Sequence, residues 1–338
     1  MDLNIIWFIL VTVLLTGYAA LDGFDLGVGI ASLFTKKSED KRILMNSIGP
    51  LWDGNEVWLI TGGGALFAAF PHVYASVFSG LYLALMLVLS VMILRGSSLE
   101  FRSKVESQSW MKTWEITFGI SSLLFALLLG VALGNVAQGL PVGQDMNIHI
   151  NLFQLLTPYP ILIGLLTIAL FTMHGTFFAL NKTSDELNAN LLGFGKIVYW
   201  LFFILFILTT IVTFIFIPDL TANFNAFPLW YVLPVLVLGM ALVLPKHLNK
   251  GKFKLAFTYS FIMTVLLMTI LAVGLFPNFV PSTINPEFSL NLYNAASSSK
   301  TLTVMLIIAL IGMPIVIAYT IWINKIFRGK TKIEETSY

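Results

Sequence analysis

Apolar runs of roughly 20 residues, the length that crosses a bilayer as a helix, recur along the whole chain. They fall near 4–26, 76–95, 114–136, 157–180, 196–217, 229–245, 255–276 and 301–323. Hydrophobic residues make up 57% of the 338 and charged ones 11%, against about 25% charged in soluble domains. The chain therefore reads as an all-α polytopic membrane protein, a single integral membrane domain with no linker or soluble module. Its opening Met1-Asp2-Leu3-Asn4 has no basic leader, so the first run is expected to be a retained helix. There is no cysteine, which excludes structural disulfides and thiolate-ligated zinc, haem or iron–sulfur centres. The net charge of +2 says little about partners, and no nucleic-acid partner is expected.

One stretch breaks the pattern. Residues 52–71 begin Trp52-Asp53-Gly54-Asn55-Glu56-Val57-Trp58 and continue through Gly62-Gly63-Gly64 to Pro71, a weakly hydrophobic segment with two carboxylates and an amide. Lysine and arginine decide whether it crosses, because they collect in cytoplasmic loops. If it crosses, five groups fall on one side: Lys36 to Arg42, Arg95 to Lys112, Lys182 with Lys196, Lys246 to Lys254, and Lys325 to Lys332. Only Lys300 of the 19 basic residues is then left on the other. If it does not cross, every later loop changes side and the split weakens to 5 against 14.

The expectation is nine transmembrane helices, with the N-terminus outside and the C-terminus cytoplasmic. Helices 1–4 (about 4–136) and 5–8 (about 157–276) enter from the same side, compatible with a parallel repeat, and helix 9 (about 301–323) is extra. Outer loops near 139–156, 218–228 and 277–300 are rich in Pro, Asn and Ser, as solvent-facing turns are. Trp7, Tyr159, Trp230 and Tyr231 near outer helix ends, and Trp110, Trp114, Tyr199, Trp200 and Trp322 near inner ones, read as aromatic belts.

Acidic residues concentrate in the first two helices. Asp22 and Asp25 lie toward the inner end of helix 1, and Asp53 and Glu56 lie in the first turns of helix 2, so all four sit at similar depth. Each pair is spaced i, i+3 on one helix face, and Asn55 adds an amide. Four carboxylates facing lipid would cost roughly 10 kcal/mol, so they are expected to turn toward protein or water. Carboxylates at such a depth suit a proton pathway open to the cytoplasm, with Asp53, Asp25, Glu56 and Asn55 as its members. The structural alternative is capping by Asp53 and Asp22, with Arg95 as an ion-pair partner for one of the acids. Gly23 and Gly27 have the spacing of close helix packing, which is also the expectation for Gly62 to Gly64. Of His72, His149, His174 and His247, only His174 lies well within a span, too few for a bis-histidine haem.

The run Gly23-Phe24-Asp25-Leu26-Gly27-Val28-Gly29, together with the 52–71 stretch, resembles subunit II of the cytochrome bd quinol oxidases. Further matches are Arg95-Gly96 through Glu100-Phe101-Arg102, Gly134-Asn135 with Gln138-Gly139, Phe276-Pro277 with Pro281-Ser282, and Tyr319-Thr320 with Phe327-Arg328-Gly329-Lys330. The resemblance implies a fold of two four-helix bundles plus one peripheral helix in the bacterial cytoplasmic membrane. It implies a haem-bearing partner, subunit I, carrying haems b and d, and a complex that oxidises quinol and reduces dioxygen to water. This chain would hold no haem and would not act as a catalyst alone. By the same resemblance Asp53 belongs to a proton route and Trp58 to an oxygen route, while Glu56 stands where some members carry an amide. A structurally held quinone, surrounding lipid and a small single-helix subunit are further partners it allows. The competing readings are a proton-coupled secondary transporter and a scaffold whose polar residues only join helices.

Overall fold

The computed structural model describes residues 2–333. Twelve α-helices follow one another in it: α1 (Leu3–Leu33), α2 (Ser38–Ile48), α3 (Trp52–Ala69), α4 (Pro71–Gly80), α5 (Tyr82–Phe101), α6 (Gln108–Gln138), α7 (Pro158–Lys182), α8 (Asp185–Phe216), α9 (Pro218–Ala226), α10 (Val232–Asn249), α11 (Phe253–Leu275) and α12 (Ser299–Ile326). Eight are long and apolar enough to cross a membrane, and the bent pair α3–α4 makes nine if counted as one span. A two-stranded antiparallel ribbon, β1 (Asn278–Val280) and β2 (Leu290–Asn291), precedes α12.

The doubtful 52–71 segment is helical and runs antiparallel along α1. Asn55 reaches Leu21 and Asp25, Gly62 rests on Leu14 and Leu15, and Phe70 shares a buried cluster with Trp7, Phe8 and Val11. Eighteen residues at 1.5 Å each make a rod of roughly 27 Å. Pro71 ends it, because proline disfavours the helical conformation in the residue before it, and the chain turns by 118° into α4. The run expected at 76–95 therefore divides, and α5 starts only at Tyr82 and continues to Phe101. This corrects the position of Arg95, which lies inside a helix and not in a loop.

Two other loops are helical as well. The basic first loop contains α2, whose Leu44, Met45 and Ile48 are buried. The 218–228 segment forms α9 and not an irregular turn, with Thr221 and Phe224 packed inward.

The core is centred on α1 and α7, which touch almost backbone to backbone. A Cβ on Gly27 would lie 1.8 Å from the carbonyl oxygen of Phe171, and one on Gly175 would lie 2.3 Å from the amide nitrogen of Val28. Small residues allow this approach, and in a bilayer such packing replaces the hydrophobic effect as the main cause of helix association. Helices α3 and α6 pack against α1, with α5 against α6; α8 and α11 pack against α7, with α10 against α11. Leu302 is the buried residue of α12, which lies along the outside. Of the three glycines in 62–64, only Gly62 serves packing; Gly63 and Gly64 have nothing within 4 Å of a would-be Cβ.

Three expected belt aromatics are instead buried pins. Trp7 donates to the Leu302 carbonyl at 2.9 Å, Tyr159 pairs with the Thr213 hydroxyl at 2.9 Å, and Tyr199 donates to the Ala241 carbonyl at 2.9 Å. Trp200 and Trp322 are exposed, as belt residues are. The basic loops meet at one end of the molecule. There Lys37 pairs with Glu186, Lys330 donates to the Thr183 carbonyl, Asn181 donates to the Phe253 carbonyl at 3.3 Å, and Arg102 donates to Ser38 Oγ at 2.9 Å. The Pro- and Asn-rich loops cover the other end, where Leu140 bonds Pro281 and Asn223 bonds Val273.

Candidate functional site: a buried acid–arginine cluster

Toward the basic end of α1, three carboxylates surround one guanidinium. Arg95 of α5 donates from Nη2 to Asp22 Oδ1 at 2.6 Å and from Nη1 to Asp22 Oδ2 at 3.1 Å. The two side chains are 1% and 0% exposed, so this is a fully desolvated fork-to-fork pair, the geometry in which arginine binds a carboxylate best. Glu56 Oε1 of α3 approaches Arg95 Nη1 at 3.6 Å. One turn further along α1, Asp25 is also fully buried, and its Oδ2 accepts from Asn55 Nδ2 at 2.7 Å.

Several buried polar atoms here have no hydrogen-bond partner in the protein: Asp25 Oδ1, Glu56 Oε1, Arg95 Nε, Trp58 Nε1 and Tyr18 OH. Buried polar groups are normally satisfied by protein or ordered water, so their grouping along α1, α3 and α5 marks a seam suited to water. Three carboxylates against one guanidinium leave the seam with excess negative charge unless it takes up protons, and a buried net charge is costly.

Asp53 lies outside the buried part of this cluster. It is exposed on the face of α3 that also carries Gly54, Val57, Ile60, Thr61 and Gly64. Nor does it cap the helix: the N-cap position is Leu51, and Asp53 sits within the first turn. An i, i+3 pair is offset by about 60° around a helix. The contacts with α1 and α5 cover the sector of Asn55 and Glu56 and stop short of Asp53. Trp58 is buried over Gly17, where a Cβ would meet its ring at 2.4 Å.

Behind the acids lies an apolar cavity of about 310 Å³, bounded by α1, α3, α6, α7, α8, α9, α10 and α11. It was invisible in the sequence, because its lining is ordinary helix-core composition drawn from eight elements. A second polar centre joins α2, α5 and α6: Glu115 accepts from Arg102 Nη2 at 2.8 Å and from Ser38 Oγ, with Lys41 at 3.9 Å. Its one signal in the sequence was a single acid, Glu115, inside an apolar run.

Among the described residues, the histidine deepest within a span is not free to ligate a haem. His174 is committed through both ring nitrogens, Nδ1 to Ser260 Oγ at 2.7 Å and Nε2 to the Ala20 carbonyl at 3.0 Å, and it stacks on Phe257. It joins α7 to α1 and α11. His247 lies in the last turn of α10 and not in a loop. Among the described residues no His, Cys, Asp and Glu group could hold a metal ion.

Fold and cluster together define a multi-pass membrane subunit that keeps protonatable groups within its helix core. The family model of cytochrome bd terminal oxidase subunit II matches residues 3–327, and the chain belongs to that family. It is 34% identical to the probable cytochrome oxidase subunit 2 of Haemophilus influenzae, over 95% of this chain and 93% of that protein. It is 33% identical to the cytochrome bd-I ubiquinol oxidase subunit 2 of Escherichia coli K12 over the same shares. Identity to the cytochrome bd ubiquinol oxidase subunit 2 of Bacillus subtilis is 34%, over 99% of this chain and 98% of that one. The solved bd oxidase of Geobacillus thermodenitrificans contains a chain of the same fold, with a TM-score of 0.79 at 15% identity, covering 97% of this chain and 99% of that one. The protein is thus one subunit of a bacterial quinol oxidase, a multi-pass component of the plasma membrane that works in a haem-containing complex with a subunit I.

Proposed function

We propose that this subunit supplies protons to the oxidase through Asp53 on the uncovered face of α3, with Asp25, Asn55 and Glu56 as the buried reserve behind it. The observation that carries this reading is the stoichiometry of the cluster. Arg95 gives its hydrogen bonds to Asp22, while Asp25 Oδ1 and Glu56 Oε1 accept none, Glu56 standing 3.6 Å from the guanidinium. Those oxygens are where protons bind and leave.

In this reading the chain crosses the membrane nine times, with its basic end cytoplasmic and two groups of four spans beside a peripheral α12. The positive-inside bias and the length of α3 support that topology. The haems lie on subunit I, and dioxygen is reduced there. Ubiquinol is the proposed electron donor, as named for the Escherichia coli and Bacillus subtilis relatives. Trp58 lies on the oxygen route. The apolar cavity has the size and lining of a cofactor pocket and is the proposed place of a structurally held quinone.

The test is Asp53→Asn in the complete oxidase. Quinol-driven oxygen uptake is expected to fall at least several-fold while the haem spectrum and subunit yield stay at wild-type levels. Full turnover in that variant would leave the acids a purely structural duty.

A further inference from the structure

The cavity and the acid cluster divide the depth of the helix bundle between them. The cavity begins beneath Thr221 and Phe224 of α9, at the Pro- and Asn-rich end, and stops at Tyr18 of α1 and Phe171 of α7. Along α7 it follows residues 159 to 171, roughly 18 Å at 1.5 Å per residue. The acids start one turn beyond Tyr18, at Asp22, and continue toward the basic end. Joined, the two compartments would reach across most of the roughly 30 Å apolar layer.

Side chains of α1, α3 and α7 stand between the compartments; on α7, Phe171 lines the cavity and packs on Gly23, between the two aspartates. Tyr18 lines the cavity and turns its buried hydroxyl toward Asp22, four residues on. Leu59 lines the cavity from α3, one turn past Asn55 and Glu56. Tyrosine suits such a boundary because it offers an apolar ring to one side and a polar tip to the other. An apolar cavity excludes water whether it is empty or filled by an apolar molecule, whereas proton transfer needs an unbroken series of hydrogen-bonding groups.

We propose that Tyr18 and Leu59 form an insulating wall, which stops water and protons passing from the acid cluster into the cavity and so keeps the two membrane faces unconnected. The wall rests on the proton-supply reading of the acids, but its assay requires no turnover. In the complete oxidase reconstituted into vesicles, the decay of an imposed pH gradient is followed without quinol, with haem absorbance reporting assembly. Tyr18→Phe keeps the ring and remains as tight as wild type. Tyr18→Ser and Leu59→Ser each place a small hydroxyl in the wall and speed the decay several-fold.

Tight vesicles from both assembled Ser variants overturn the proposal, and so does a leaky Tyr18→Phe. Loss of assembled haem in both Ser variants also overturns it, since the two residues would then serve packing alone. Unchanged oxygen uptake in Asp53→Asn defeats the proton-supply reading separately, because the leak is measured at rest.

Discussion

Arg95 grips Asp22 through two hydrogen bonds, 2.6 and 3.1 Å long, in a pocket from which water is excluded. The pair joins α5 to α1 although those helices make little other direct contact. Removing one partner of a buried ion pair strands the other and typically costs about 3–5 kcal/mol. Arg95→Ala is therefore expected to lower the yield of assembled, haem-containing oxidase severely. Arg95→Lys keeps the charge but loses the planar fork, so its yield should fall between the two. Equal yields of all three, measured by haem absorbance in purified membranes, would dismiss the pair as an anchor.

The contact between α1 and α7 makes a second prediction. Gly27→Ala places a methyl group against the Phe171 carbonyl and the Gly175 amide, where only backbone movement can relieve the clash. Assembly should fall sharply. Gly193→Ala, a helical glycine with nothing within 4 Å, should be neutral or slightly stabilising, by at most about 1 kcal/mol. Thermal denaturation of the detergent-solubilised complex distinguishes the two.

Glu115 holds α2 to the ends of α5 and α6 through Arg102 and Ser38. In Glu115→Ala the Arg102 guanidinium stays buried without its carboxylate, an arrangement that should release α2 and expose the basic first loop. Faster trypsin cleavage at Lys36, Lys37, Lys41 or Arg42 in inside-out vesicles is the expected result. An unchanged digestion pattern would mean that the apolar face of α2 is sufficient.

Trp58 fills the space over Gly17 between α1 and α3. If dioxygen passes beside it, Trp58→Ala changes the rate of oxygen rebinding after flash photolysis of the CO-bound oxidase, with slower binding expected from a collapsed passage. Identical traces for variant and wild type would take Trp58 off the route.

Much of this arrangement was legible in the residues. Eight of the long helices follow from apolar runs of bilayer length, and the Gly23–Gly27 spacing correctly signalled a close helix contact. Asp22, Asp25, Asn55 and Glu56 were recognisable as a group, because polar side chains at membrane depth must find partners. Asp53, three residues from Glu56, is exposed where the others are covered. Helical spacing sets the angle between Asp53 and Glu56, but where along that angle a neighbouring helix stops is a property of packing. The same limit explains Trp7, Tyr159 and Tyr199: position near a helix end suggests a belt, yet each is turned inward to a particular backbone carbonyl or hydroxyl.

By itself the sequence determined the membrane setting, the long spans, the basic end and the family, since these depend on composition, run length and local motifs, which need no knowledge of neighbours. Only the tertiary structure decided that Asp22 takes Arg95, that Asp53 stands apart on an uncovered face, and that a cavity ends at Tyr18 and Leu59. Each of these requires side chains from helices far apart in the chain to meet at one depth and rotation. Such meetings are settled by how whole helices fit together, because burial and pairing energies act between surfaces and no single segment contains them.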